Sequence, residues 1–165
     1  MNTLYQELVE RIRGEVPDLE RLVHRALQAW SQAQRESGDR DFFLDSVALN
    51  LHGFYSGVER IFELIARHVD RKLPDSETWH RDLLLQMSQE MEDVRPALIG
   101  EDGAIALDEF RRFRHLVRNV YTTNLVPDKL VGLMSALPGL WRKLKAELLA
   151  FAEFLQRLAE AADPG

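Results

Sequence analysis

The sequence has no cysteine, no excess of basic residues and no apolar run long enough to cross a bilayer. Without thiols there can be no disulfide framework, no zinc–thiolate site and no cysteine nucleophile, and the chain suits a reducing compartment. Lysine and arginine total 21 against 27 aspartates and glutamates, a formal net charge of -6. That balance argues against broad, nonspecific adhesion to nucleic acid, so any phosphate contact has to be local. There is no glycine-rich phosphate loop and no strand to carry one. No serine–histidine–acid arrangement follows from spacing, and there is no internal repeat or low-complexity tail. The N-terminal MNTLYQELVERIRGEV is charged and amphipathic rather than a secretory leader, so a cytoplasmic protein without a membrane partner is expected.

What is present is helical periodicity. Apolar residues recur three and four apart almost everywhere, and period-two alternation is hard to find. Leu4, Leu8, Ile12, Val16, Leu19, Leu22, Ala26, Trp30 and Ala33 form one stripe, with Gly14 and Pro17 predicting a kink. ESGDRD ends that segment, and a second helix is expected from 41 to about 71, where Gly53 and Gly57 offer a groove for close approach. A shorter helix from 79 to about 91 is entered through Ser76 or Thr78 as cap, and residues 94 to 107 read as the loop-richest stretch. A fourth helix is expected over about 107–125, stopped before Pro127. A fifth runs from 128 to about 161, kinked or split at Pro138-Gly139. The expected fold class is all-α, an up-and-down bundle of four to five helices, with residues 1–165 forming one domain around one core.

The fourth helix carries the chemistry. RRFRHLVR, residues 111 to 118, gathers four arginines and a histidine with no acid among them. On a helical wheel Phe110, Phe113, Leu116, Val117 and Val120 form a packing face. Arg111, Arg114, His115, Arg118, Asn119, Tyr121 and Thr122 fall on the opposite side. Like charges three or four apart repel by a few tenths of a kcal/mol per pair, so stability alone would not select this pattern. Two partners would relieve it: acids from neighbouring helices, or a bound phosphate. Arginine's planar fork serves carboxylate and phosphate alike.

Three stretches, DEFRRFRHLVRNVYTTNL, LHGFYSGVERIFELIARHVD and WHRDLLLQM, resemble the HepT-like branch of the HEPN superfamily across residues 41 to 160. These are small helical proteins encoded beside a minimal nucleotidyltransferase in toxin–antitoxin pairs. The resemblance implies a metal-independent ribonuclease acting as a homodimer, with an arginine followed four to six residues later by histidine, often R-N-x-x-x-H-x-Y. Here the motif is altered. With Tyr121 at its tyrosine, Arg114 takes the arginine, His115 stands where asparagine is usual and Asn119 stands where histidine is usual.

Cleavage of RNA without a metal uses the neighbouring 2′-hydroxyl as nucleophile. It needs a base, an acid for the leaving oxygen and cations for the charge building on phosphorus. The expected catalytic residues are Arg114, with Arg118, as charge stabilisers, His115 as acid or base and Asn119 as a positioning donor. Arg111 and Arg118 are the expected RNA contacts. One subunit supplies a single imidazole on this face, so a homodimer pairing two copies of His115 is expected to complete the site. The resemblance further implies that Tyr121 accepts AMP groups from the nucleotidyltransferase antitoxin, and that tRNA is the substrate class. No cofactor and no metal are expected. A catalytically silent helical dimerisation module, binding a nucleotidyltransferase, RNA or a nucleotide, is the alternative function. Glu77 and His80 have the spacing of a di-iron ligand pair but occur once, so His80 reads as a capping histidine and Trp79 as a cover for the bundle's end. His24, His52 and His68 read as structural or surface histidines.

Overall fold

The computed structural model describes residues 2–35, 38–120 and 127–162, except for the side chains of residues 2, 118–120 and 127. The elements are α1 (Asn2–Arg35), α2 (Arg40–Ile65), a π-helical turn (Ala66–Asp70), α3 (Trp79–Met87), α4 (Glu101–Val120) and α5 (Pro127–Ala161). There is no strand among the described residues, so the all-α bundle expected from the periodicity is the fold.

Helices α1 and α5 keep close to the ranges expected for them, and neither is split at its proline. Pro17 and Pro138 lie inside continuous helices. Both face solvent, where a carbonyl freed by the missing N–H can be hydrated. The apolar stripe meanwhile passes uninterrupted beneath them: Ile12, Val16 and Leu19 in α1, and Leu137, Leu140 and Trp141 in α5, are all buried. Burial of these stripes holds the helical path that proline alone would have broken.

Helix α1 packs along α2 and α5, and α4 lies against α2 and α5 from another side. Phe54 of α2 marks their junction, meeting Phe110 of α4 at 6.0 Å and Trp141 of α5 at 5.9 Å, both edge to face. The glycine groove is real. A Cβ at Gly57 would stand 2.6 Å from Leu19 Cδ2, so α1 and α2 approach as closely as the missing side chain permits.

Three boundaries differ from those expected, the first being that α3 ends at Met87 rather than near 91. Helix α2 stops at Ile65 and passes into the π-turn, whose Ala66 carbonyl accepts from the backbone N–H of both Arg71 and Lys72 while Arg71 adopts a left-handed conformation. Helix α4 begins at Glu101, six residues before the expected start at 107. Its first turn carries Glu101 and Asp102, and the Gly100 N–H donates to Glu147 of α5 at 2.7 Å. Acids at a helix N-terminus satisfy its unpaired N–H groups and complement its dipole, so Gly103 is absorbed into the helix rather than breaking it. The preceding loop is tied down by Arg95, which is bonded to Asp70 of the π-turn, and by the Leu98 and Ile99 N–H groups, which donate to the Met87 carbonyl.

Candidate functional site

The site follows from where α4 turns its side chains. Counting from Phe110 at 100° per residue, Leu107 lies at about 60° and Arg114 at about 40°. Once the fully buried Leu107 is counted on the packing face, which the expected set of apolar residues left out, Arg114 falls between two core positions rather than on the opposite face. The expectation that Arg114 projects away from the packing face is therefore corrected: it is buried, and its guanidinium enters the bundle.

There it meets a carboxylate. Arg114 Nη2 donates to both Glu59 oxygens at 3.0 Å, and Nη1 donates to Ser56 Oγ at 3.3 Å. The guanidinium carbon stands 4.8 Å from the centroid of the Tyr55 ring. Glu59 and Arg114 have side-chain exposures of 6% and 7%, so both ions are withdrawn from water. Burial drives the Tyr55 phenol well above its ordinary range; the charge of Glu59 pushes the same way and Arg114 pushes back.

His80, at the start of α3, closes the cluster. Its Nδ1 lies 2.9 Å from Glu59 Oε2 and 3.1 Å from Arg114 Nη2. The ring stacks on Trp79 with centroids 3.6 Å apart, and about a third of the side chain is open to solvent. The capping role expected for His80 is thus replaced by a tertiary one, while Trp79 is half-buried against the core. Three elements, α2, α3 and α4, each contribute one member of a glutamate–histidine–arginine triangle.

The sequence carried one signal for Glu59. It sits four residues after Tyr55 and three before Phe62, both fully buried, so it is a carboxylate within an apolar stripe. Such a residue needs a cationic partner. Nothing local pointed to His80, whose partner is 21 residues away.

The remaining candidates divide. Arg111 Nε donates to Asp108 at 2.7 Å, and Arg112 pairs with Asp108 at 3.0 Å and Glu109 at 3.7 Å. With Arg114 held by Glu59, every α4 arginine whose side chain is described is offset by an acid of its own chain. The acids come from one turn upstream and from α2, so the mutual repulsion expected of this face is relieved within the subunit. His115 follows Arg114 in sequence but is exposed on another face. It lines a hollow of about 420 Å³ between α4 and α5 with Arg112, Lys129 and Leu133. Arg118 and Asn119 lie in the last turn of α4 with side chains outside the described residues, and Tyr121 lies outside them altogether. Among the described residues no three histidine, aspartate or glutamate side chains converge as a metal site, and no helix is long and apolar enough to cross a membrane.

An all-helical bundle with a buried arginine–glutamate pair bound to a half-exposed histidine defines a small class of candidate. A family model described as HepT-like protein matches residues 46–155, which include Glu59, His80, Arg114 and His115. The chain belongs to the HepT-like family. Nothing among curated proteins or solved structures matches it significantly. The whole of α1 precedes the matched residues, and it packs on α2 and α5, which lie largely within them.

Proposed function

We propose that this chain is the ribonuclease toxin of a toxin–antitoxin pair, cleaving RNA, with tRNA the expected class, at a composite site in a homodimer. The observation that carries the reading is the Glu59–Arg114 pair beside His80. Withdrawing two ions from water costs several kcal/mol each, and an apolar pair of similar volume is often as stable or more so. A buried ion pair in contact with a solvent-accessible imidazole is better understood as a positioned set of reactive groups than as a device for stability. Family membership supports this class of reaction, and the donor arrangement suits acid–base chemistry.

In this reading Arg114 fixes the carboxylate, and His115 serves as acid or base from the neighbouring face. Asn119 positions the phosphate, and Arg111 and Arg118 contact the RNA backbone. The partner subunit brings a second copy of the same face. Tyr121 accepts AMP from a minimal nucleotidyltransferase antitoxin; the added phosphate places negative charge against the arginines and occupies the phosphate site.

The test is cleavage of tRNA by the purified protein with a chelator present, comparing Arg114→Lys and His115→Ala with wild type and confirming the fold by circular dichroism. Cleavage that survives chelation and falls in both variants supports the reading; cleavage abolished by the chelator, or unchanged in both, removes it. Intact-mass measurement after co-expression with the nucleotidyltransferase tests Tyr121, where an adduct located elsewhere, or none, removes that part. Neutralisation of Arg111, Arg112 and Arg114 within the subunit favours a second reading, a catalytically silent module that binds the nucleotidyltransferase, RNA or a nucleotide. Growth arrest on expression that disappears with His115→Ala separates the two, because a silent module is indifferent to that change.

A further inference from the structure

We propose that His80 is a catalytic base of this site, with Glu59 and Arg114 as the residues that position it; the assignment rests on the ribonuclease reading. The geometry points to one tautomer. His80 Nδ1 lies within bonding distance of both Glu59 Oε2 (2.9 Å) and Arg114 Nη2 (3.1 Å). Nδ1 cannot donate to the carboxylate and accept from the guanidinium at once. Arg114 already directs Nη2 at both oxygens of Glu59, and an ionised carboxylate accepts more strongly than a neutral imidazole nitrogen. The arrangement that satisfies all three groups puts the proton on Nδ1, donated to Glu59. The 3.1 Å approach of Arg114 is then a consequence of both donors sharing one acceptor.

In the neutral ring, that choice leaves the lone pair on Nε2. This atom lies on the side of the ring away from the buried carboxylate, in a side chain about one-third open to solvent. Stacking on Trp79 restrains the ring further. A carboxylate at Nδ1, a restrained ring and a lone pair on Nε2 in a side chain about one-third open to solvent make up the orienter–base relation of general-base catalysis. A histidine serving packing alone would not need a buried carboxylate that is itself held by a buried arginine. His80 also supplies the second imidazole that α4 lacks, so a single subunit carries two candidates for proton transfer, His80 and His115.

His80 Nε2 takes the proton of the ribose 2′-hydroxyl, and the 2′ oxygen forms a bond to phosphorus. The bond from phosphorus to the 5′ oxygen breaks, and that oxygen leaves with a proton drawn from water. The products are a 2′,3′-cyclic phosphate and a 5′-hydroxyl, and the proton on His80 returns to solvent.

Two measurements test the assignment. The first is cleavage of tRNA under chelation by wild type, His80→Ala, His80→Gln and Glu59→Gln, each verified as folded. Loss of a general base lowers kcat by about 10²–10⁴-fold. The expected result is a loss of that size in both His80 variants with KM little changed, and partial restoration of His80→Ala by added imidazole. Glu59→Gln is expected to show a smaller loss that imidazole does not relieve. Wild-type cleavage that His80→Ala and His80→Gln leave undiminished overturns the base and leaves the ribonuclease reading standing. A folded wild type that cleaves no RNA overturns both. The second measurement does not depend on activity: long-range proton–nitrogen NMR of the imidazoles, with the His80 signals assigned by their loss in His80→Gln. A neutral Nδ1–H tautomer that becomes mixed in Glu59→Gln is expected, and an Nε2–H tautomer in wild type overturns the proposal by itself.

Discussion

Replacing Asp70 with alanine should be among the most damaging single changes in this protein, although Asp70 is remote in sequence from every candidate site residue on α4. Asp70 and Arg95 both have fully buried side chains. Arg95 Nε donates to Asp70 Oδ1 at 2.6 Å and Nη2 to Oδ2 at 2.8 Å. Nη1 donates to the Gln89 and Pro96 carbonyls, each at 3.0 Å, and Nη2 also to the Gln86 carbonyl at 3.2 Å. A guanidinium has five N–H groups, and these five contacts use them all. Asp70→Ala deletes two charge-assisted bonds from Arg95, worth about 1.5–3 kcal/mol each, together with the bond that Gln86 Nε2 donates to Oδ2 at 2.7 Å, and leaves a buried cation without a counterion. Breaking one partner of a buried pair costs about 3–5 kcal/mol, in line with that sum. Against a total stability of about 5–15 kcal/mol this is a large fraction. For a domain of this length it corresponds to a fall in Tm of roughly 6–20 °C. Thermal unfolding followed by circular dichroism measures it, and limited proteolysis should show the 88–100 loop becoming susceptible, because Arg95 ties that loop to the π-turn. A loss below about 1 kcal/mol, the net worth of one neutral hydrogen bond, with the loop still protected, would refute the reasoning.

Three further outcomes are expected. Gly14→Ala and Gly57→Ala both gain roughly 0.8–1 kcal/mol of helix propensity, but only Gly57 has a neighbour at 2.6 Å, so Gly14→Ala should raise Tm and Gly57→Ala should fall below it by about 1–3 kcal/mol in urea unfolding. Tyr55 is raised above its ordinary value by burial first and Glu59 second, so its contribution to stability is intact below about pH 10 and lost above it. In an alkaline absorbance titration the Tyr55 phenol should ionise only as the protein unfolds, and ionisation in the ordinary range with the helices intact would contradict its burial. Glu20 is held below its ordinary value by hydrogen bonds from Lys145 and then Trp141, linking α1 to α5. Its contribution is therefore present above the ordinary carboxylate value and lost as pH falls through the lowered one. Carbon-13 NMR of the glutamate carboxyls should show Lys145→Ala moving Glu20 upward.

Helix class, number and approximate order were legible because apolar spacing is a local property, and five stretches repeat every three or four residues. The Gly53–Gly57 groove was legible for the same reason: small residues one turn apart describe a face before its partner is known. Boundaries were less so. Gly100 and Gly103 read as loop, but the Glu147 carboxylate, 47 residues away, accepts the Gly100 N–H at the entry to α4, and no local pattern encodes that. Pro17 read as a kink and Pro138-Gly139 as a kink or a split, yet each helix continues through its proline, because burial of the apolar stripes around them outweighs the hydrogen bond that each proline removes.

The site divided along the same line. Sequence by itself determined that α4 gathers arginines beside a histidine, that Glu59 interrupts an apolar stripe, and that no thiol chemistry is possible. Only the tertiary structure decided which of these meet. It turned Arg114 inward to Glu59, brought His80 from α3 to the same carboxylate and sent His115 to a different face. The physical reason is that an ion pair in the interior is chosen by the packing of helices far apart in sequence, and its large cost when unpaired makes that choice specific.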